Sequence, residues 1–557
     1  MPVTDSSSTA GSPSVSSSRL GIPKQALVGL IILLALAAAT RLIGLSSLDV
    51  WGDEVYSHDA SSDLFPKLLR WETASNESSS PWPFIEMKIA RQLFGAGSPL
   101  TLRLPSALHG ILGVGLLYVV LGFFISWRIA FWASLMLAIN PHGLEWSREG
   151  RMYTQWLGAT ILTLGIVHAA VQDVRLHQGQ AYSWRWWFTG CLFMIVHAMN
   201  VMGTMTIAGI ALWLAIVAAA EFMANRATAL RILLGSALAG AVYLGSWGLT
   251  GIAKILLLMG GSNPAGREER ALLDHILEYI TALPGHVPLV VGLLLWALAL
   301  LGLALLAKAG HWRIALLIAI AALAPWAGFP FIAKSHFWTT RYVFTGILPL
   351  SVGLGAVLAA LWHGQLLRSK VAGQVVAIVL LIGSVAFAAP YLREIAVQPK
   401  MEAHKAFAPI KEHGRDGEVI MLFPDYYVAF DTYPPYRFAQ KVKIIRGPKG
   451  TWRDASDTFK DTFDNLYRPA DPAKAGAIPQ AAWLFLLTPG HMKSDVSVWQ
   501  KRITEIEPIL AAYGVKRETI EALIEPGVFT LTLRISRDEQ GNGKIDHVVK
   551  TRGRAYQ

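Results

Sequence analysis

Residues 25–54 read QALVGLIILLALAAATRLIGLSSLDVWGDE and contain the strongest indications of the fold class. Residues 25–45 are mostly apolar and match the length of about 20 residues that an α-helix needs to cross a bilayer. A cleaved signal sequence has a similar run, but further apolar runs follow along the chain and favour a retained first span. A polar segment comes next and carries the adjacent carboxylates Asp53 and Glu54. The stretch therefore predicts a membrane-spanning helix that leads into an acidic pair at one membrane face.

The same apolar template fits eleven segments of the chain. The chain has 557 residues, of which 53% are hydrophobic and only 16% charged. A soluble surface normally needs about a quarter of the residues to be charged. We therefore predict a polytopic α-helical membrane protein with about 11 transmembrane helices, the third and fifth being the weakest. The predicted spans are 25–45, 100–124, 127–143, 153–171, 184–203, 204–224, 229–251, 286–307, 312–331, 341–363 and 372–391.

The basic residues predict the orientation of the chain. If the amino terminus lies inside, the inner loops collect lysine and arginine with very few acids, which is the positive-inside pattern. The loop 46–98 and, after an odd number of spans, the segment 392–557 then face outwards. We predict a multi-pass protein of the bacterial inner membrane whose site faces the periplasm or the outside. The inner basic residues are Arg19, Lys24, Arg128, Arg175, Arg185, Arg226, Arg231, Lys308, Arg313, Arg368 and Lys370.

The two ends of the chain differ from the apolar part. Residues 1–24 are predicted to be a disordered cytoplasmic tail, since their first part is rich in serine and poor in bulky apolar side chains. Residues 25–391 form the predicted transmembrane domain, with amphipathic helices in the first extracytoplasmic loop. Residues 392–557 are predicted to be an extracytoplasmic mixed α/β domain. Its strand-like runs are 418–424, 481–487 and 528–535, and its runs with helical spacing are 402–413 and 496–513.

The composition also excludes several kinds of partner and bond. The single cysteine, Cys191, excludes an intrachain disulfide and a zinc site built from several thiolates. The net charge of +11 does not indicate nucleic acid, because the basic residues are scattered between apolar runs rather than clustered with aromatic side chains. Membrane lipids are therefore the expected surroundings, and no nucleic-acid partner is predicted.

The carboxylates Asp53 and Glu54 allow two interpretations. A carboxylate at a membrane surface can be poised as a general base. Alternatively, Asp53 is the N-cap of a surface helix, with acids favoured by the helix dipole. Cations in the other outer loops need an explanation, because the positive-inside rule disfavours them there, and an anionic lipid headgroup supplies one. These outer loops contain Glu145, Arg148, Glu149 and Arg151 in one cluster, and Lys334, His336 and Arg341 in another.

Taken together, these segments resemble the GT-C glycosyltransferases, in particular the bacterial branch related to protein O-mannosyltransferases and aminoarabinose transferases (glycosyltransferase family 39-like). The resemblance runs in order from residue 25 to about residue 390. No single motif is specific to this family, but the order of the motifs along the chain and their predicted topology are specific when taken together. The motifs that carry it are Arg41, Trp51-Gly52-Asp53-Glu54, Phe94-Gly95, Leu102-Arg103-Leu104-Pro105-Ser106, Ser147-Arg148-Glu149-Gly150-Arg151-Met152-Tyr153, Arg341-Tyr342 and Leu348-Pro349.

The resemblance implies transfer of one sugar from a polyprenyl-phosphate donor to a hydroxyl of a lipid, polysaccharide or protein acceptor. The leaving phosphate monoester has a second pKa of about 6, so it needs cations more than a proton. We assign Asp53 as general base and Glu54 as the second candidate or a structural partner. Direct displacement inverts the anomeric centre, whereas a carboxylate nucleophile would retain it. The donor-phosphate candidates are Arg341, Lys334, Arg148, Arg151 and Tyr342. The acceptor or supporting candidates are Glu145, Glu149, Tyr153, Glu86, Lys88 and His336.

Several alternatives stay open from the sequence. A flippase or transporter of lipid-linked sugars is disfavoured because the spans hold few ionisable residues. An O-antigen-type polymerase or ligase would make long-chain products instead of adding one sugar. No metal ligand is assigned and no cofactor is certain, because the side chains that could hold a divalent cation show no tight ligand spacing. Those side chains are Asp53, His58, Glu145 and His336.

Overall fold

A computed structural model describes most of the chain, and the statements below concern the residues that it describes. The predicted tail 1–24 lies almost wholly outside them. The described residues are 23–70, 81–95, 98–177, 179–200, 202–248, 252–253, 272–332, 340–397, 403–416, 418–423, 443–446, 480–487, 496–525 and 528–552.

Helices dominate this part of the chain, and each of the eleven predicted spans coincides with one. The helices are α1 (Lys24–Leu42), α2 (Gly52–Ala60), α3 (Phe65–Leu69), α4 (Pro81–Phe94), α5 (Pro99–Phe124), α6 (Trp127–Ile139), α7 (Pro141–Ser147), α8 (Tyr153–His177), α9 (Trp184–Met199), α10 (Gly203–Ala224), α11 (Arg226–Tyr243), α12 (Leu272–Ala282), α13 (Leu289–Leu306), α14 (Trp312–Ile332), α15 (Ile347–Trp362), α16 (Lys370–Val397), α17 (Ala403–His413), α18 (Val496–Ala512) and α19 (Arg517–Glu521).

Eight helical segments of the described chain are long and apolar enough to cross a membrane, with Leu289–Gly328 counted as one. The two segments that the sequence marks as weakest form the short helices α6, of 13 residues, and α9, of 16 residues. The prediction of a polytopic α-helical membrane protein is confirmed.

Helix α15 lies at the centre of the bundle, and nearly all of its side chains are buried. Its glycines bring it close to its neighbours: a Cβ on Gly353 would lie 2.1 Å from the Ala299 carbonyl oxygen of α13, and one on Gly355 would lie 2.3 Å from the Ala133 nitrogen of α6. Small residues at such contacts let membrane helices approach closely, which increases their van der Waals packing. Helix α15 thereby provides a fixed base for the turn Thr340–Gly346 that precedes it.

Helices α2, α3 and α4 form a packed layer after α1. The first turn of α2 contains Asp53 and Glu54, while Trp51 is the N-cap residue. Basic side chains of α4 bind the end of α2: Arg91 Nη1 donates to the His58 carbonyl at 2.8 Å, and Lys88 Nζ donates to the Asp63 carbonyl at 2.7 Å. Cations at a helix C-terminus satisfy carbonyls that have no partner within the helix. The described part of the first loop is therefore a structured platform around the acidic pair.

The carboxyl-terminal segments form a mixed sheet in the order β2-β1-β3-β4-β5, as the sequence predicts for this region. Strands β1, β2 and β3 are parallel, while β3-β4 and β4-β5 are antiparallel. Side chains of α18 pack on one face of the sheet, with Trp499 and Ile503 fully buried. The strands are β1 (Val419–Phe423), β2 (Lys443–Arg446), β3 (Ala481–Leu487), β4 (Val528–Arg537) and β5 (Gly543–Arg552).

Candidate active site

Glu54 is the member of the acidic pair that is bound by several fixed hydrogen-bond donors. Its side chain is fully buried and accepts two hydrogen bonds from Arg103, from Nε to Oε1 and from Nη2 to Oε2, each 2.7 Å long. The backbone N–H of Gly150 donates to Oε1 at 2.8 Å, and the backbone N–H of Trp51 donates to Oε2 at 3.3 Å. A bidentate guanidinium–carboxylate pair is among the strongest polar contacts in proteins. Glu54 therefore joins the first loop to α5 and to the second loop.

Arg103 in turn fixes the chain between α1 and α2. It donates from Nη1 to the carbonyls of Leu45 and Leu48, at 3.1 and 2.8 Å, and from Nη2 to the carbonyl of Asp49, at 2.9 Å. One turn further along α5, Ser106 Oγ donates to the Arg151 carbonyl at 2.7 Å. The first turns of α5 therefore hold both loops in place.

Asp53 points to a different set of partners. Its buried carboxylate accepts a short hydrogen bond from Arg341 Nη1 at Oδ2, and Arg151 Nη2 lies 3.9 Å from the same oxygen. Arg151 Nη1 also donates to the Asp53 carbonyl at 3.1 Å and to Ser57 Oγ at 3.2 Å. The structure thus brings three predicted site residues together from positions 53, 151 and 341, with one carboxylate facing two guanidinium groups.

Aromatic rings lie beside this charged group. The Arg341 guanidinium carbon is 5.2 Å from the Tyr342 ring centre. Tyr153 is buried between Trp146 and Phe344, with ring-centre distances of 4.7 and 6.3 Å. Tyr342 and Tyr153 therefore border the site, which leaves their predicted roles in donor and acceptor binding geometrically feasible.

Arg148 serves a different purpose in this structure. Its guanidinium donates to the carbonyls of Thr40 at 3.1 Å, Ile43 at 2.7 Å and Gly44 at 3.1 Å, which caps the end of α1. Burial, and then the positive charge of Arg103, lower the pKa of Arg148 from its ordinary value. Because these contacts occupy both terminal nitrogens, the geometry favours a capping role over the predicted contact with the donor phosphate.

We expect Arg148→Met to lower the free energy of unfolding by about 0.5–1.5 kcal/mol, because part-buried and exposed carbonyls at the end of α1 lose charge-assisted hydrogen bonds. The donor KM should change by less than about twofold, because a capping residue makes no contact with the bound donor. Denaturant titration in mixed micelles and steady-state kinetics measure the two quantities. A raised KM with unchanged stability would return Arg148 to the donor site.

The remaining predicted residues fall into three groups. Glu86 accepts hydrogen bonds from Trp82 Nε1 at 2.8 Å and contacts His109 Nε2 at 2.9 Å, so it holds α4 against α5. Lys88 binds the end of α2, as described above. Glu149 is buried within the second loop, and Glu145 accepts a short hydrogen bond from the Tyr391 hydroxyl of α16. The predicted Lys334 and His336 lie outside the described residues.

A mainly apolar groove opens among the helices beside Asn140 and Pro141, where α7 begins. Its walls come from α6, α13, α15 and α16, and its polar end is formed by the chain before α7. The lining residues are Met136, Ile139, Asn140, Pro141, Pro284, Leu295, Leu350, Ser351, Leu354, Ser384, Val385 and Ala388.

Two solved structures share this architecture. ArnT from Cupriavidus metallidurans in the apo state is 13% identical, with a TM-score of 0.51 over 83% of this chain and 93% of that chain. The archaeal oligosaccharyltransferase AglB from Archaeoglobus fulgidus, in complex with an inhibitory peptide and a dolichol-phosphate, is 12% identical, with a TM-score of 0.51 over 94% of this chain and 74% of that chain. This chain has the GT-C fold. No protein-family model and no curated protein matches the sequence.

The GT-C bundle also contains residues that sequence reasoning left out of the site. Arg103 lies within one of the family-like motifs, and the sequence alone assigns it no role, although an arginine in the first turn of a predicted span is a signal for a specific partner. His142, His286 and Tyr391 surround Glu145, and no spacing in the sequence connects these three positions.

Proposed function

We propose that this chain is a glycosyltransferase that moves a single sugar from a polyprenyl-phosphate donor to an acceptor hydroxyl. The observation that carries the proposal is the Asp53 carboxylate held between Arg341 and Arg151 at one end of a GT-C bundle. A carboxylate can accept the proton of the attacking hydroxyl, and a guanidinium can bind the departing phosphate. Both groups that the reaction needs are therefore in contact before any substrate binds.

The contact between Asp53 and Arg341 suggests how the donor prepares the site. The donor phosphate is a diester that offers its two unbridged oxygens to the planar guanidinium, and it gains further negative charge when the sugar leaves and a phosphate monoester remains. Donor binding would therefore draw Arg341 away from Asp53 Oδ2. The oxygen that is released can then accept a hydrogen bond from the acceptor hydroxyl. In this scheme Asp53 takes the proton of the acceptor hydroxyl, and the hydroxyl oxygen bonds to the anomeric carbon. The bond from that carbon to the phosphate oxygen breaks, polyprenyl phosphate leaves beside Arg341, and the anomeric centre inverts.

The apolar groove suits the lipid part of a substrate. Its walls are chiefly leucine, isoleucine, valine, methionine, alanine and proline, and such surface gains free energy when a hydrocarbon chain replaces water. AglB, which shares the fold, was solved with a dolichol-phosphate. By the same chemistry we propose a polyprenyl chain in this groove, with the acceptor being a lipid, polysaccharide or protein. The positive-inside pattern supports our proposal that the site lies on the extracytoplasmic face of a bacterial inner membrane.

Reconstitution tests the proposal. The purified full-length chain is placed in liposomes with a polyprenyl-phosphate-linked radiolabelled sugar and a membrane extract as acceptor. We expect addition of one sugar per acceptor with release of polyprenyl phosphate. Arg341→Met should raise the donor KM by about 10–100-fold, which corresponds to the loss of a charge-assisted hydrogen bond worth about 1.5–3 kcal/mol.

The matched control is Arg226→Met, at the turn between α10 and α11, which should leave the donor KM unchanged. Two other outcomes contradict the proposal. Movement of the donor across the liposome membrane without release of polyprenyl phosphate would identify a transporter. Long-chain products would identify a polymerase.

A further inference from the structure

A second cluster of chemically active side chains lies beside the groove. His142, Glu145 and His286 each offer one ligand atom, and these atoms all lie within 4.8 Å of one another. The first two side chains are buried, and the third is half-buried. Two imidazoles and one carboxylate, from two distant parts of the chain, therefore converge on a space the size of a single ion.

The short helix α7 places two of these side chains together. His142 and Glu145 are three residues apart, so they lie on the same side of the helix. The distance from His142 Nδ1 to Glu145 Oε2 is 3.7 Å. Pro141 begins this helix, and the Asn140 side chain caps it by accepting a hydrogen bond from the Gly143 N–H at 2.7 Å. The pair therefore has a fixed spacing.

The loop between α12 and α13 brings the third side chain to the other two. The Asn140 side chain donates a hydrogen bond from Nδ2 to the Leu283 carbonyl at 2.9 Å. Gly285 packs on Pro141 so closely that a Cβ would lie 2.7 Å from the proline Cγ. His286 follows with a φ of 53°, in the left-handed region that large side chains rarely adopt. These two contacts and the left-handed backbone of His286 hold its ring next to α7.

The last span supplies a supporting group. The Tyr391 hydroxyl of α16 donates a hydrogen bond to Glu145 Oε2, and its ring centre is 4.3 Å from that of His286. A hydrogen bond of this kind orients a metal-binding carboxylate and leaves its other oxygen for the ion. Tyr391 therefore holds a position typical of residues that support metal ligands.

We propose that His142, Glu145 and His286 bind a divalent metal ion of the zinc class. Two histidines and one glutamate are a recurring ligand set for zinc, with a fourth position left for water or another ligand. Magnesium and calcium prefer sites made only of oxygen ligands. The ligand atoms need to move inwards by roughly 1 Å to reach Zn–N distances of about 2.0–2.1 Å. A bound ion offsets the cost of burying the Glu145 carboxylate.

The proposed metal site shares no residue with the Asp53 group, and a bound ion there would have a different effect on the structure. It connects α7 with the loop before α13, and through Tyr391 with α16. Because Asn140, Pro141 and Pro284 also line the groove, the ion would fix the groove's polar end. The proposal stands independently of sugar transfer, since it predicts metal binding in the purified chain.

The experiment measures bound zinc in the purified full-length chain by elemental mass spectrometry, after removal of metal with a chelator and titration with zinc. We expect about one zinc ion per chain, and cobalt in its place should give the visible absorption of a tetrahedral site. His286→Asn and Glu145→Gln should each weaken zinc binding by at least about tenfold. Asparagine tolerates a positive φ, so the first variant keeps the loop conformation. Zinc should also raise the melting temperature of the wild type but not of the two variants.

His413→Asn, in α17 on the exposed side of the carboxyl-terminal segment, is the matched control and should bind zinc like the wild type. Equal zinc binding by the wild type and both ligand variants would overturn the proposal, because the ion would then be adventitious. Wild-type protein that binds no zinc after titration would overturn it as well.

Discussion

Asp53→Asn is expected to reduce the rate of sugar transfer by about 10²–10⁴-fold, which is the usual contribution of a general base. Asparagine has the shape of aspartate but cannot take up the proton of the acceptor hydroxyl. The donor should still bind, and should bind at least as tightly, because Arg341 loses its competing carboxylate partner. Single-turnover transfer and equilibrium binding of polyprenyl phosphate measure these two effects separately.

A matched control is available on the same helix. Asp59→Asn makes the same chemical change at a half-buried position of α2, six residues further on and on a different side of the helix. We expect this variant to keep wild-type transfer. If Asp53→Asn transfers sugar at the wild-type rate, Asp53 is not the base. If it weakens donor binding instead of slowing transfer, the residue only positions Arg341.

Much of the fold could be predicted from the sequence because the bilayer imposes a simple rule. A spanning helix must satisfy its own backbone hydrogen bonds and present about 20 apolar residues, so hydropathy marks it directly. The short helices α6 and α9 are the exceptions, and their segments already showed the weakest pattern. Strands β1, β3 and β4 were predictable for a similar reason, since short apolar runs such as 481–487 are typical of buried strands, whereas β2 and β5 match none of the predicted runs.

The candidate site was only partly predictable. The charged positions 53, 54, 151 and 341 stand out because ionisable residues near membrane spans need partners. Which residue pairs with which depends on how distant loops fold against each other, and no spacing in the sequence encodes that. The position of His286 depends on a left-handed backbone and on the contact between Gly285 and Pro141. Glu145 was predicted as an acceptor residue, whereas the structure places it among two histidines.

The separate surroundings of Asp53 and Glu54 bear on the question that the sequence left open, namely which carboxylate is the base. Glu54 accepts four hydrogen bonds from fixed donors, so no oxygen of its carboxylate is well placed for a substrate hydroxyl. Asp53 faces cations that a phosphate can attract away. Adjacent residues on one helix turn thus take different roles, one structural and one chemical, because they point to different partners.

The structural role of Glu54 predicts a large loss of stability. Glu54→Leu or Arg103→Met alone should lower the free energy of unfolding by about 3–5 kcal/mol, since each leaves the other charge buried without its partner. The double variant should lose less than the sum of the two, with a coupling energy of about 1–3 kcal/mol. The backbone N–H of Gly150 and the carbonyls near Leu48 stay unpaired in the double variant, so it should not regain wild-type stability.

Denaturant titration of the four proteins in mixed micelles measures this cycle. The half-buried pair Arg517–Glu521 provides the control, because an ion pair four residues apart on a helix near the surface should couple by less than about 0.5 kcal/mol. A Glu54 variant that keeps full stability but loses transfer would reverse the assignment and make Glu54 the base. If stability is lost while the residual folded fraction still transfers sugar, the reaction depends on Asp53, and Glu54 acts by holding the first loop, α5 and the second loop in one arrangement.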